Sequence, residues 1–202
     1  MKKPEKLNKR TVVAVTGGFA TGKTTIASLL RGYGAKVVDA DKIAHGLIKP
    51  GTSAYKKVVA LFGRGIVQKD KSIDRGKLSQ IVFSNPRLLN RLNSIVHPGV
   101  VKAIKKEAKT GRQKVAVLDI PLLFESGLQQ LADKVIVVTA DRKAQVKRAQ
   151  KRKASLSGKD ILMRIKAQMP LTAKVRKADF VIDNSGTREQ TKKQVENLLS
   201  LL

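Results

Sequence analysis

The chain contains no cysteine, which excludes disulfide bridges, thiolate metal sites and a cysteine nucleophile. It also lacks tryptophan, and only 3% of its residues are aromatic, so the stacking surfaces used to bind single-stranded nucleic acid are scarce. No apolar run approaches the roughly 18 to 20 residues that a membrane span requires. We therefore expect a cytoplasmic protein with no membrane partner.

Acidic side chains are also few. The chain has 15 Asp and Glu residues and 42 Lys and Arg residues, which gives a formal charge of +27. A basic surface can bind nucleic acid through its phosphates, but a lysine-rich proteome is the preferred explanation, and the charge also suits polyanionic small substrates. No nucleic-acid recognition motif is visible, so we expect nucleic-acid contact only through non-specific charge. The sequence leaves the oligomeric state open between a monomer and a weak oligomer.

Five short apolar runs predict buried strands, and helical patterns separate them. The runs cover residues 12–16, 37–38, 115–118, 135–138 and 180–182, and three of the helical patterns cover about 23–33, 141–152 and 187–202. Strands that alternate with helices form a parallel sheet with helices on both faces. The sequence therefore predicts an α/β fold with a five-stranded parallel sheet.

We expect one domain over residues 11–202, preceded by a basic leader at 1–10. Two stretches look like helical additions to the sheet, one at about 51–109 and one at about 148–177. In an open α/β sheet, ligands bind at the carboxyl ends of the strands, where both additions would converge. The first is a candidate cover for the acceptor substrate and the second a candidate lid.

A phosphate-binding motif of the form G-x-x-x-x-G-K-[ST] stands between the first predicted strand and helix. Its residues are Gly17, Gly18, Phe19, Ala20, Thr21, Gly22, Lys23 and Thr24, and Thr25 follows as a further nucleotide-binding candidate. We expect backbone N–H groups to cradle the phosphates, Lys23 to reach the β- and γ-phosphates, and Thr24 to ligate Mg²⁺. The sequence lacks the Asn-Lys-x-Asp segment that reads guanine, which favours ATP as the nucleotide.

Several further segments resemble those of the dephospho-CoA kinases, in the same order and at familiar spacing. They are residues 16–18, 38–44, 97–98, 121–125, 168–171 and 178–184, and the resemblance covers about 12–202. It implies a P-loop NTPase fold of the adenylate-kinase type. It also implies ATP-dependent phosphorylation of the 3′-hydroxyl of the ribose in dephospho-CoA, giving coenzyme A and ADP.

The resemblance assigns the general base to Asp41, which would accept the proton of the attacking hydroxyl. An aspartate that begins a helix can instead cap it, and for Asp39 capping or support of Asp41 is the preferred interpretation. His97, followed by Pro98, matches the His-Pro of the acceptor side and would bind the substrate, with a structural cap as the alternative.

Arg148 and Arg152 lie where the family has lid arginines that stabilise the transferring phosphoryl group. Their basic neighbours leave a solvated helix face as the alternative. Asp119, after a buried strand, is a candidate Mg²⁺ ligand, although the loop hydroxyl and water can suffice. Asn184 is a candidate contact of the adenine, with turn formation as the alternative.

Two positions depart from the family pattern. Ala20 stands where the loop usually has a further glycine, and residues 153–155 replace a more usual Asp-Gly after the lid arginine. Two other functions stay open: another small kinase of the adenylate-kinase type, acting on a nucleotide or a sugar-like alcohol, and a basic nucleic-acid-binding ATPase.

Overall fold

The computed structural model describes residues 10–83, 85–152 and 156–202. Residues 1–9 of the predicted leader at 1–10 and the variant segment 153–155 lie outside the described residues. The chain divides into two compact units. The first comprises the chain up to Asp39 together with Glu107–Leu202, and the second comprises Ala40–Lys106.

The first unit is built on a sheet of five parallel strands, in the order β2-β3-β1-β4-β5. The strands are β1 (Thr11–Gly17), β2 (Lys36–Asp39), β3 (Val115–Asp119), β4 (Lys134–Thr139) and β5 (Phe180–Asp183). Every strand that the apolar runs predict is present, each one or two residues longer than its run. The α/β fold with a five-stranded parallel sheet is therefore confirmed.

Helices connect these strands and also build the second unit. They are α1 (Lys23–Gly32), α2 (Ala40–Leu47), α3 (Ser53–Phe62), α4 (Arg75–Phe83), α5 (Pro86–Lys109), α6 (Arg142–Arg152), α7 (Gly158–Lys166), α8 (Leu171–Val175) and α9 (Arg188–Leu199). Among the described residues, no helix is both long enough and apolar enough to cross a membrane.

Both faces of the sheet are buried, as in other parallel sheets. Val13 and Val15 of β1 belong to an apolar cluster that includes Ile26 of α1 and Val195 of α9. Ala14, which alternates with them and so faces the opposite side, is also fully buried. The sheet is thus held rigidly between helices, and its carboxyl edge can present a fixed site.

The second unit has an apolar core of its own. Its buried members are Val58, Ile66, Ile73, Leu78 and Val82. The Thr52 hydroxyl caps α3 by accepting from the Tyr55 N–H at 3.1 Å. Because a Cβ on Gly99 would lie 3.1 Å from a Leu47 methyl, glycine lets α5 approach α2 closely.

Candidate active site

The predicted phosphate-binding motif forms the turn between β1 and α1. Two of its glycines are required by close contacts, because a Cβ on Gly17 would overlap the Val138 carbonyl oxygen and one on Gly22 would overlap the Asn184 amide. Gly22 also has φ +94°, in the left-handed region that favours glycine. The motif glycines therefore allow a tight turn that larger residues would open.

Ala20, the position that departs from the family pattern, has φ +56°. A left-handed conformation costs a non-glycine residue about 1 kcal/mol or more, which explains why glycine is usual there. The Ala20 methyl group is buried against Ala149 of α6 and Ile161 of α7. Packing against the two helices thus offsets part of the backbone cost.

Lys23, the first residue of α1, folds back over the loop. Its Nζ donates to the Gly18 carbonyl oxygen at 2.7 Å, and the Thr21 hydroxyl donates to the same oxygen at 3.1 Å. Thr24, in the first turn of α1, is exposed. The ammonium and the Thr24 hydroxyl are thus both held at the amino end of α1, where the helix dipole favours anions.

Helix α6 presents two side chains to the outside of the loop. Gln145 Nε2 donates to the Phe19 carbonyl oxygen at 2.8 Å, and an Arg148 guanidinium nitrogen donates to the Thr21 carbonyl oxygen at 3.2 Å. The peptide bonds of the loop are trans and planar, so each held carbonyl directs the following N–H to the opposite side. These contacts therefore orient the N–H groups of Ala20 and Gly22 away from α6.

Asn184, the residue after β5, forms a buried hydrogen-bond network behind the loop. Its Nδ2 donates to the Thr21 carbonyl oxygen at 2.8 Å, and its Oδ1 accepts from the Thr191 hydroxyl at 3.0 Å. Arg148 donates to the Asn184 backbone carbonyl at 2.5 Å. The structure thus brings Arg148 and Asn184 together with the phosphate loop.

An ion pair between a buried lysine and a partly exposed glutamate was not predicted from the sequence. Lys174 of α8 is fully buried, and its Nζ lies 2.8 Å from Glu125 Oε1. The same nitrogen donates to the carbonyl oxygens of Gly17 at 3.4 Å and Pro121 at 3.3 Å. In the sequence, Glu125 is only part of the 121–125 segment that resembles the family, and one lysine among 42 basic residues carries no signal of burial.

Two carboxylates lie at the carboxyl edge of the sheet. Asp119 ends β3, in register with Val15 of β1 on one side and with Asp39 of β2 on the other. Asp39 immediately precedes α2, the position at which aspartate caps a helix. Carboxylate and hydroxyl oxygens are the ligand types that Mg²⁺ prefers, and the two candidate ligands, Asp119 and the exposed Thr24, supply one of each.

The predicted acceptor-side residues belong to the second unit. Asp41 is exposed in the first turn of α2, two residues after the end of β2. His97 lies inside the 24-residue helix α5, so it does not cap an end of that helix.

Arg152 is the exposed last residue of α6, one turn beyond Arg148 on the same face.

A family model described as dephospho-CoA kinase matches residues 11–190 of this chain. The chain belongs to the dephospho-CoA kinase family. A dephospho-CoA kinase from Geobacillus kaustophilus is 44% identical over 190 residues, covering 93% of this chain and 94% of the relative. One from Carboxydothermus hydrogenoformans is 45% identical over 192 residues, covering 93% and 92%.

Solved structures agree with this dephospho-CoA kinase assignment. The protein TT1252 from Thermus thermophilus superposes with a TM-score of 0.85 at 31% identity, covering 96% of this chain and 98% of that one. A dephospho-CoA kinase from Campylobacter jejuni gives 0.63 at 28% identity, covering 94% and 95%. A shikimate kinase from Bacteroides thetaiotaomicron, at 11% identity and 0.57, shares the fold alone.

Proposed function

We propose that this dephospho-CoA kinase transfers the γ-phosphate of ATP to the 3′-hydroxyl of the ribose of dephospho-CoA, giving coenzyme A and ADP. The observation that carries the proposal is the phosphate loop, with Lys23 folded over it and its carbonyls held from outside by Gln145, Arg148 and Asn184. A loop held in this way pays less of the conformational cost of binding phosphate.

On the donor side, the N–H groups of the loop and the amino end of α1 bind the phosphates, and Lys23 stabilises the charge that develops on them. Thr24 would hold Mg²⁺ together with the ATP phosphates, with Asp119 as a supporting ligand, and the ion would neutralise charge on the β- and γ-phosphates. Arg148 already lies against the loop through Thr21. From there it can contact a bound nucleotide, and Arg152 extends the same helix face.

On the acceptor side, Asp41 accepts the proton of the ribose hydroxyl as that oxygen attacks the γ-phosphorus. His97 binds the acceptor. The proposal also predicts a single kinase domain over residues 11–202 and a cytoplasmic location. Within that domain it predicts a helical acceptor-side insertion at about 51–109 and a lid at about 148–177.

The proposal is tested by coupled ADP release with ATP, Mg²⁺ and a panel of acceptors. The panel holds dephospho-CoA, adenosine, AMP, shikimate and gluconate, and mass spectrometry identifies each product. We expect selective turnover of dephospho-CoA. Turnover of another acceptor alone would contradict the substrate while leaving the kinase, and failure with all five would make nucleic-acid binding the next function to test.

Asp41 is tested by Asp41→Asn, which keeps the size of the side chain and removes its ability to accept a proton. We expect kcat to fall by at least about 100-fold, within the range for a lost general base, while ATP affinity changes little. The matched control is Asp70→Asn, at an exposed turn residue of the same unit. A folded Asp41→Asn enzyme with a near-normal rate would remove Asp41 from the base role.

The charge of +27 is the one observation that favours nucleic-acid binding as a second candidate. An electrostatic interaction of this kind weakens steeply as salt is raised. An affinity for DNA that exceeds the affinity for dephospho-CoA at physiological salt would support it.

A further inference from the structure

The buried cation Lys174 has a network of partners that reaches three parts of the site. Its Nζ lies within hydrogen-bond distance of the first residue of the phosphate loop, Gly17, and of Pro121, which follows β3. Its ion-pair partner Glu125 accepts from the Met169 N–H at 3.0 Å, just before α8. The Lys174 ammonium thus contacts the phosphate loop and the segment after β3 directly, and it is linked through Glu125 to the residue that lies two positions before α8.

Stability alone does not explain a lysine at this position. Removing the Lys174 ammonium from water carries a desolvation cost that its attraction to Glu125, whose side chain is 23% exposed, often fails to exceed, so an apolar residue of similar size can stabilise a protein as well or better. Lys174 has none of its surface exposed, and its helix packs against β4. Its two carbonyl contacts are what an apolar side chain could not provide.

We propose that Lys174 is a positioning residue for phosphoryl transfer, which holds Gly17 and Pro121 so that the phosphate loop is ordered before ATP binds. The inference rests on the proposed function, because it assumes that this loop binds ATP. Pro121 also accepts from the Thr16 hydroxyl at 3.1 Å and follows Asp119 by two residues. The same contact therefore fixes the segment that carries the candidate Mg²⁺ ligand.

The expected consequence of losing Lys174 is a loop that populates its binding geometry for only part of the time. Apparent affinity falls in proportion to that fraction, so a loop that is competent one tenth of the time binds about tenfold more weakly. The acceptor does not contact Lys174, which is enclosed within the first unit. The acceptor KM should accordingly change little.

Lys174→Met removes the charge at similar length, but it leaves the partly exposed Glu125 carboxylate without its ion-pair partner, which can destabilise the fold. The deciding variant is therefore Lys174→Met combined with Glu125→Gln, whose amide oxygen can still accept from Met169. Lys192→Met combined with Glu196→Gln, at an exposed ion pair of α9, is the matched control because it also removes one positive and one negative charge.

The experiment measures thermal unfolding, the Kd of a non-hydrolysable ATP analogue by calorimetry, and kcat and KM for both substrates. We expect the double variant to unfold within a few degrees of the wild type, to bind the analogue about tenfold more weakly and to have a KM for ATP raised by a similar factor, because saturating ATP orders the loop and restores kcat. The KM for dephospho-CoA should stay within about threefold. A folded double variant whose analogue Kd stays within twofold of the wild type overturns the proposal.

Calorimetry needs no acceptor, so the two proposals fail separately. Weakened analogue binding in the double variant, with no turnover of dephospho-CoA by the wild type, would support the role of Lys174 and contradict the proposed substrate. Turnover of dephospho-CoA by the wild type, with unchanged analogue affinity in the double variant, would support the proposed substrate and contradict the role of Lys174.

Discussion

The network behind the phosphate loop gives a quantitative prediction for Asn184→Ala. The side-chain amide donates to the Thr21 carbonyl and accepts from the Thr191 hydroxyl, in a buried setting. Each such hydrogen bond contributes about 1 kcal/mol net, so their loss should destabilise the protein by about 2 kcal/mol. For a chain of this size, that corresponds to a fall in Tm of about 4 to 8 °C.

The expected loss of stability is limited because both hydrogen-bond partners of the Asn184 side chain keep another contact. Thr21 keeps its bond from Arg148, and the Thr191 hydroxyl can still donate to the Thr187 carbonyl at 3.0 Å. Neither partner is left wholly unsatisfied, which keeps the loss below that for a buried orphaned group.

The assay is thermal unfolding of Asn184→Ala, Thr191→Val and the double variant without nucleotide, with the exposed Asn197→Ala as control. The two residues share one hydrogen bond, so we expect a coupling energy of about 1 kcal/mol between them. A Tm for Asn184→Ala within 1 °C of the wild type, or no coupling to Thr191, would refute the reasoning.

Three further predictions concern other residues of the first unit. Lys23→Ala should cut turnover by about 100-fold or more without unfolding the protein, and a folded variant with near-normal rates would contradict its role. Ala20→Gly relieves about 1 kcal/mol of backbone cost, but it removes a buried methyl group and gives the unfolded chain more conformational freedom. Because these effects nearly cancel, the Tm of the variant should fall by no more than about 3 °C. A rise of several degrees would contradict this balance. Hydrogen bonding from the Val135 N–H lowers the pKa of Asp179, with the ammonium of Lys134 adding to the effect. This stabilisation is full above the unfolded pKa of about 3.9 and is lost as pH falls through the lower folded pKa, so the Tm difference of Asp179→Ala from the wild type should disappear in strong acid. A difference that persists there would show that packing causes it.

The sheet could be predicted from the sequence because parallel strands buried on both faces are continuous apolar runs. The phosphate loop was equally accessible, since its glycines and Lys23 act through local geometry at a fixed spacing. The structure adds the reason for two of those glycines, namely the proximity of Val138 and Asn184.

The parts of the site that depend on long-range contacts could not be predicted. Lys174 acts on Gly17 from 157 positions away in the chain, and Gln145 acts on Phe19 from 126. Nothing in their local sequence separates them from surface residues of the same type. For Asn184 the sequence predicts a turn residue or an adenine contact, and the structure adds that its side-chain amide donates to the Thr21 carbonyl oxygen of the loop.

The most direct test of the central claim is phosphorus NMR of the product that the wild-type enzyme makes from dephospho-CoA, ATP and Mg²⁺. The account predicts ADP and one new phosphomonoester, coupled to the 3′ proton of the ribose. A phosphate at any other position, or no new phosphomonoester from a folded, ATP-binding enzyme, would contradict it.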